Sequence, residues 1–185
     1  MPQSLHIAII GGGAAGFFAA IEAKRNFPHA DITIFEKNSK VLAKVKITGG
    51  GRCNLTNSFD EISDLKQAYP RGHKLMKRLF KRFDYQHAFD WFEENGVPLV
   101  TQDDQCVFPQ SQDSHSIIDC LVNTAKRLGV KIQCNHQLTA ITELEDERLL
   151  LEFKISKEKG NLSGASSASH PVSEIRQIAF HRVAI

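Results

Sequence analysis

Six residues near the start of the chain, Gly11-Gly12-Gly13-Ala14-Ala15-Gly16, have the spacing G-x-G-x-x-G and follow an apolar run, Leu5-His6-Ile7-Ala8-Ile9-Ile10. Each spaced glycine has a use. Gly11 permits a tight turn off a strand, Gly13 leaves the backbone open to close approach, and Gly16 lets a following helix pack against the strand. The start of that helix offers free N–H groups and the positive end of its dipole, which suit the phosphates of a dinucleotide. A second run, Asp31-Ile32-Thr33-Ile34-Phe35, ends on Glu36, 20 residues beyond Gly16. A carboxylate there accepts both hydrogen bonds of a ribose diol and repels a 2′-phosphate. The glycine spacing alone is weak, because a Gly-rich turn can simply pack a helix on a sheet. A strand before it, a helix after it and an acid at the end of the next strand make it a nucleotide site, for FAD or NAD rather than NADP.

A second group of candidates lies in the polar stretch 37–58, which reads as a long loop and contains Thr48-Gly49-Gly50-Gly51-Arg52-Cys53-Asn54-Leu55-Thr56-Asn57. Long loops inside compact domains are usually functional. Gly49, Gly50 and Gly51 present unobstructed N–H groups to anionic or carbonyl oxygens, and Asn54 and Asn57 hydrogen-bond in both directions. Arg52 has two readings of equal standing: it pairs with phosphate, or it fixes the loop by bonding to carbonyls. For Cys53 a packing or loop-shaping role is preferred to redox chemistry, because no second cysteine is near in sequence and no cationic partner is evident. Cys106, Cys120 and Cys134 are widely spaced, no C-x-x-C pair exists, and neither a zinc site nor any other metal site is expected.

These residues need a scaffold. The chain has 185 residues, 42% hydrophobic and 24% charged, which is ordinary for one good-sized α/β domain with a real core. The net charge of +2 offers no whole-chain argument for nucleic acid or an anionic membrane, and neither is expected as a partner. No apolar run reaches membrane-spanning length, and a cytoplasmic location is the default. Residues 5–36 read as a βαβ unit in which Ala15, Phe18, Ala19 and Ala23 give the helix its packed face. An excursion of helices and short strands fills 58–110. In it, Leu75, Met76, Leu79, Phe80 and Phe83 form an apolar stripe over 72–83, opposite Lys74, Lys77, Arg78, Lys81 and Arg82. That basic side is read as a solvated face in preference to a phosphate-binding one. A second helix spans about 84–95, and its Phe89, Trp91 and Phe92 are read as core. Two short strands, 97–100 and 106–108, flank a turn whose Asp103 and Asp104 are solvated rather than catalytic. Ser116 is taken as the N-cap of a helix with Ile117, Leu121, Ala125 and Leu128 on one face. Strand 130–132 and a meander through 138–144 and 149–155 follow. Residues 156–173 read as a flexible loop, and an apolar strand-like run covers 175–185. Because this run meets no turn or polar tail, the chain is expected to be the front part of something longer.

The stretch Lys44-Val45-Lys46-Ile47-Thr48-Gly49-Gly50-Gly51-Arg52-Cys53-Asn54-Leu55-Thr56-Asn57 closely resembles the signature of the BaiN-type, aminoacetone-oxidase-like, NAD(P)/FAD-dependent flavoproteins. That family carries G-G-G-R-C-N-x-T-N after the FAD fingerprint, usually with Ser where Thr48 stands. The likeness extends through Val107-Phe108-Pro109 and the helix near Ser116 to Gly129-Val130. Where the family has Gly-Arg before Val-Phe-Pro, this chain has Gln105-Cys106. The resemblance implies a Rossmann-like FAD-binding domain, a βαβ start with a parallel sheet and a β-meander, of which residues 1–185 are the N-terminal part, ending before an inserted second domain. It places the FAD pyrophosphate on Gly11, Gly13, Ala14, Ala15 and Gly16, and the adenosine ribose on Glu36 with Lys37 beside it. It places adenine on the backbone of Leu138, and the ribityl and flavin side on Lys44, Thr48, Gly49, Gly50, Gly51, Arg52, Cys53, Asn54 and Asn57.

The expected function is therefore the FAD-binding portion of a flavin oxidoreductase acting on a small organic substrate, with NADH or NADPH as one possible reductant. No catalytic acid or base can be named. The alternatives are an inactive nucleotide-binding fragment of such an enzyme or an NAD-dependent dehydrogenase domain. The long loop after the second strand argues against the dehydrogenase, which continues in regular βα alternation. Oligomeric state has no sequence signal.

Overall fold

The computed structural model describes residues 5–156 and 173–185. The 156–173 segment read as a flexible loop lies, apart from its two end residues, outside the described residues. In chain order the elements are β1 (His6–Ile10), α1 (Ala14–Asn26), β2 (Asp31–Phe35), α2 (Ala43–Ile47), a 3-10 turn (Thr48–Gly51), β3 (Thr56–Asn57), α3 (Leu65–Ala68), α4 (His73–Leu79), α5 (Tyr85–Glu94), β4 (Leu99–Thr101), β5 (Cys106–Pro109), α6 (His115–Arg127), β6 (Lys131–Gln133), β7 (His136–Glu143), β8 (Leu149–Ser156), β9 (Ser173–Phe180) and β10 (Arg182–Ala184). They fall into two compact units, Met1–Leu42 with Thr124–Ile185, and Ala43–Asn123.

In the first unit a parallel sheet runs in the order β10-β1-β2-β6. Ile7, Ala8 and Ile9 of β1 and Ile32, Thr33, Ile34 and Phe35 of β2 are buried in unbroken runs, the pattern of strands covered on both faces. The meander is an antiparallel sheet, β7-β8-β9, with a bulge between Leu138 and Ala140. It packs on the parallel sheet through Phe35, which stacks on Phe153 at 4.3 Å and meets Phe180 edge-on at 5.7 Å. Ala8 and Leu151 complete that cluster. The run over 175–185 is two strands in two sheets. The change falls at His181, whose N–H donates to the His6 carbonyl at 2.9 Å and whose Nδ1 accepts the His6 N–H at 3.0 Å.

α1 buries Phe17, Ala20 and Ile21, not the predicted face; Ala15 and Ala19 are exposed. The helix is small and apolar around most of its circumference, so periodicity could not choose the face.

In the second unit β3-β5-β4 is antiparallel, with β4 and β5 joined through the turn Gln102–Gln105 as expected. Stretch 37–58 holds more structure than a loop: α2 forms around the buried Val45. Asp84 caps α5 through the His87 N–H; Trp91 and Phe92 are buried as read, and Phe89 is half-buried. The stripe over 72–83 is not all core. α4 stops at Leu79, and Leu75, Leu79 and Phe83 are 50%, 48% and 41% exposed. α6 begins at His115, ahead of Ser116: the Asp113 carboxylate accepts the His115 N–H at 2.9 Å, and Ser116 Oγ turns to Ser111 Oγ. Of the expected face, Ile117, Leu121 and Ala125 are buried, while Leu128 lies just past the helix and is half-buried. No helix among the described residues is long and apolar enough to cross a membrane.

Candidate dinucleotide site

The carboxyl end of β1 turns into α1 at Gly11, whose φ of +109° suits glycine and whose N–H donates to the Phe35 carbonyl at 2.8 Å. Gly16 is fixed by contact: a Cβ there would overlap the Gly11 carbonyl oxygen. Gly13 differs from both. Its φ of −88° and ψ of −177° are open to any residue, and a Cβ there would meet nothing within 4 Å. The space in front of it is free for a ligand.

α1 starts from Gly13 with no side-chain cap and no acidic residue in its first turn, so its first N–H groups have no protein partner of the usual kind. Ala14 and Ala15 lie in that turn, exposed. A cleft of ≈ 330 Å³ is lined here by Gly11, Gly13, Ala15, Gly16 and Ala19, with Ile9, Ile10, Ala184 and Ile185. An uncapped helix start facing an open, glycine-lined cleft fits a pyrophosphate.

Glu36 is held in place at the end of β2. Its Oε2 accepts the Gly12 N–H at 2.8 Å, and its Oε1 accepts the Asn38 backbone N–H at 2.9 Å and Asn38 Nδ2 at 2.7 Å. A carboxylate accepts about four hydrogen bonds, so capacity for a hydroxyl remains. The Glu36 backbone joins β6 and β7, donating to the Gln133 carbonyl at 2.9 Å and accepting the His136 N–H at 2.8 Å. Lys37 is exposed, and Leu138 stands opposite Phe153 beside the β7 bulge, packed on the Phe35 cluster.

Two residues here escaped the sequence reading. Gly12, an "x" of the motif, has no room for a side chain: a Cβ would lie 2.7 Å from Val41 Cγ1 and 3.0 Å from Glu36 Cβ. Asn38 orients the carboxylate. Gly12 could have been found as an extra glycine in the motif; a lone Asn after a strand carries no signal.

The second unit holds Lys44 and the glycine loop. Gly49, Gly50 and Gly51 all have positive φ, 58°, 69° and 88°. At Gly49 a Cβ would lie 2.7 Å from the Asn54 N and 2.9 Å from the Phe108 ring. The Thr48 carbonyl accepts the Cys53 N–H at 3.0 Å, and the Gly51 carbonyl accepts the Ser114 N–H at 2.9 Å. Ser114, which the sequence reading also missed, is buried and donates its hydroxyl to the Lys46 carbonyl.

Arg52 fixes the loop: Nε donates to the Gly49 carbonyl at 3.1 Å, Nη1 reaches Gln112 at 3.3 Å, and the guanidinium lies 4.2 Å from the Phe108 ring centre. Cys53 is buried with φ +66°, and burial pushes its thiol pKa up, away from thiolate. Asn54 Nδ2 donates to Cys106 Sγ at 3.3 Å, and Asn57 Oδ1 accepts the Phe59 N–H at 2.8 Å. Lys44 and Gly50 are exposed. Gln105, where the resembled family has Gly, takes φ +63°, a conformation glycine adopts freely.

A family model, HI0933-like protein Rossmann domain, matches residues 5–167. The chain belongs to this family. It is the BaiN-like family of FAD-binding flavoproteins that the Gly-Arg-Cys-Asn loop pointed to, and its cofactor is FAD. Among the relatives of this chain, a 3-dehydro-bile acid delta(4,6)-reductase of Clostridium scindens is 31% identical over 135 residues, 73% of this chain and 32% of the relative. A ribosomal RNA dihydrouridine synthase of Haemophilus influenzae is 23% identical, over 84% of this chain and 38% of its own length. The chain thus spans about a third of the length of the curated relatives it matches. The solved 3-ketosteroid-delta4-(5alpha)-dehydrogenase of Rhodococcus jostii superposes with a TM-score of 0.64 at 14% identity, over 99% of this chain and 46% of that one. That likeness shows the Rossmann-like fold.

Proposed function

We propose that this chain is the FAD-binding portion of a flavin-dependent oxidoreductase acting on a small organic substrate. The observation that carries the proposal is the uncapped start of α1 behind the open Gly13, with Glu36 held by Gly12 and Asn38 at the end of β2. In this reading the backbone of Gly11, Gly13, Ala14, Ala15 and Gly16 receives the pyrophosphate. Glu36 takes the adenosine ribose with Lys37 beside it, and the backbone of Leu138 meets adenine. Lys44 and the loop Thr48–Gly51 with Arg52, Cys53, Asn54 and Asn57 serve the flavin side. Within that loop Arg52 and Cys53 hold its shape, since the guanidinium is engaged by Gly49, Gln112 and Phe108 and the sulfur is buried.

Bound FAD supplies hydride or electron transfer, while the protein binds and orients it. The reductase name of the Clostridium scindens relative supports a reduction; NADH or NADPH is the electron source in this reading. The test is FAD binding by absorbance, with bound and free flavin separated. Flavin bands are expected to travel with the chain, and Glu36→Ala should weaken binding about tenfold or more, by loss of charge-assisted hydrogen bonds to the ribose. Undiminished binding by Glu36→Ala would remove the ribose assignment.

A further inference from the structure

The carboxylate of Glu36 is nearly full before any ligand arrives. A carboxylate accepts about four hydrogen bonds, two on each oxygen. On Oε1 both places are taken within the chain, by the Asn38 backbone N–H at 2.9 Å and by Asn38 Nδ2 at 2.7 Å. On Oε2 the Gly12 N–H, at 2.8 Å, takes one place and leaves one. The two backbone donors are held where they are. The Gly12 carbonyl accepts the Leu42 N–H at 2.8 Å, and the Asn38 carbonyl accepts the Asn135 N–H at 3.0 Å. A ribose diol has two adjacent hydroxyl groups, each both donor and acceptor. One free place on Glu36 serves one of them. Taking the second out of water without a partner costs binding energy.

A partner for the second hydroxyl stands beside the carboxylate. A side-chain amide has two N–H donors and a carbonyl acceptor. Asn38 uses one N–H on Glu36 Oε1, and among the described residues its second N–H and its Oδ1 have no hydrogen-bond partner. The amide stands this way round for a physical reason: Oδ1 against the carboxylate would set two acceptors face to face.

The side chain is exposed, and its backbone is tied to the corner between β6 and β7, where the Asn135 carbonyl in turn accepts the Ser156 N–H at 3.1 Å. The amide is thus presented to solvent from a fixed backbone, which lowers the cost of ordering it on a ligand. Lys37 is exposed as well, but its ammonium carries donors only and cannot accept a hydroxyl proton.

We propose that two residues divide the adenosine ribose between them: Glu36 accepts one hydroxyl at the free place on Oε2, and the Asn38 side-chain amide binds the other. Asn38 is then a specificity-determining residue, selecting a ribose with both hydroxyls free. The assignment rests on the flavin reading and adds to it a second sugar-binding side chain.

The test measures dissociation constants by equilibrium dialysis for FAD and for its 2′-deoxy and 3′-deoxy analogues, altered in the adenosine ribose. The parent chain should bind FAD more tightly than either analogue. Asn38→Leu keeps a similar shape beside Oε1 without donor or acceptor. It should weaken FAD about fivefold, the worth of one ordinary hydrogen bond. It should also bind FAD and one analogue equally while still preferring FAD to the other. If this variant loses its far-UV dichroism, Asn38→Ala takes its place with the same expectation.

The proposal is overturned if the folded variant binds FAD as tightly as the parent, the result for an amide that only occupies the carboxylate. It is overturned if the preference over both analogues falls together, the result for a side chain that only orients Glu36. It is overturned if Lys37→Ala, and not the Asn38 variant, removes a preference. FAD binding by the parent with no preference over either analogue removes the ribose assignment of Glu36 as well, and a parent that binds no FAD removes the flavin reading itself.

Discussion

Cys53 stands at the centre of the loop that identified the family, yet its environment is that of a packed thiol. Its φ is +66°, its side chain is buried, and burial raises its pKa, so the neutral form dominates near neutral pH. Alkylation of Cys53 by iodoacetamide at pH 8, followed by peptide mass spectrometry, should be at least tenfold slower in the folded chain than in urea. Equal rates would return Cys53 to consideration as a redox group. The same scale shows what a sequence can and cannot disclose. The place of Glu36 at the end of the second strand was legible, because the distance from the glycine turn to that end is fixed by the βαβ geometry. Gly12 and Ser114, which hold Glu36 and the glycine loop, were not, because their partners are remote in sequence, and Asn38 was not, because a lone Asn after a strand carries no signal.

α5 depends on its first turn. Asp84 Oδ1 accepts the His87 N–H at 3.1 Å, and His87 Nδ1 lies 2.6 Å from the same carboxylate oxygen. The hydrogen bond from the His87 side chain, then that from its backbone N–H, holds the Asp84 carboxyl below its ordinary value. A carboxyl depressed in the folded state stabilises above the ordinary carboxylate pKa and loses that contribution as pH falls through the folded value. Asp84→Ala should therefore cost about 1 kcal/mol at pH 7 in urea denaturation. The gap from the parent chain should narrow as pH falls from about 5 to below about 3; a gap constant with pH would mean that the carboxylate is not the cap.

Element types were legible where pattern and length agreed, as in β1, β2, the β4–β5 pair and the meander. Faces were harder to read. α1 is apolar nearly all round, so the side that buries Phe17, Ala20 and Ile21 is chosen by the sheet rather than by the sequence period. α4 has a clean amphipathic stripe but leaves Leu75 and Leu79 about half exposed, because only part of that stripe meets the aromatic cluster of Phe59, Tyr69 and Phe80.

At the scale of the molecule, the first unit closes a parallel sheet from segments far apart in the chain. β1 lies between β2 and β10, and β6 is brought beside β2 after the excursion of the second unit. The βαβ start foretold the central pair. It could not foretell β10, because the residues of the 175–185 run look alike whether they continue the meander or leave it; the switch depends on the His6–His181 contacts.

The central claim is that the uncapped α1 start and the open space at Gly13 form the phosphate site of FAD. Gly13→Ala tests it most directly, because a Cβ at that position meets no protein atom within 4 Å and the backbone angles are open to alanine. Stability should change by less than about 1 kcal/mol. FAD affinity, measured by equilibrium dialysis on chains of equal far-UV dichroism, should fall at least tenfold as the methyl group enters the ligand's space. FAD binding by Gly13→Ala equal to that of the parent chain would contradict the account.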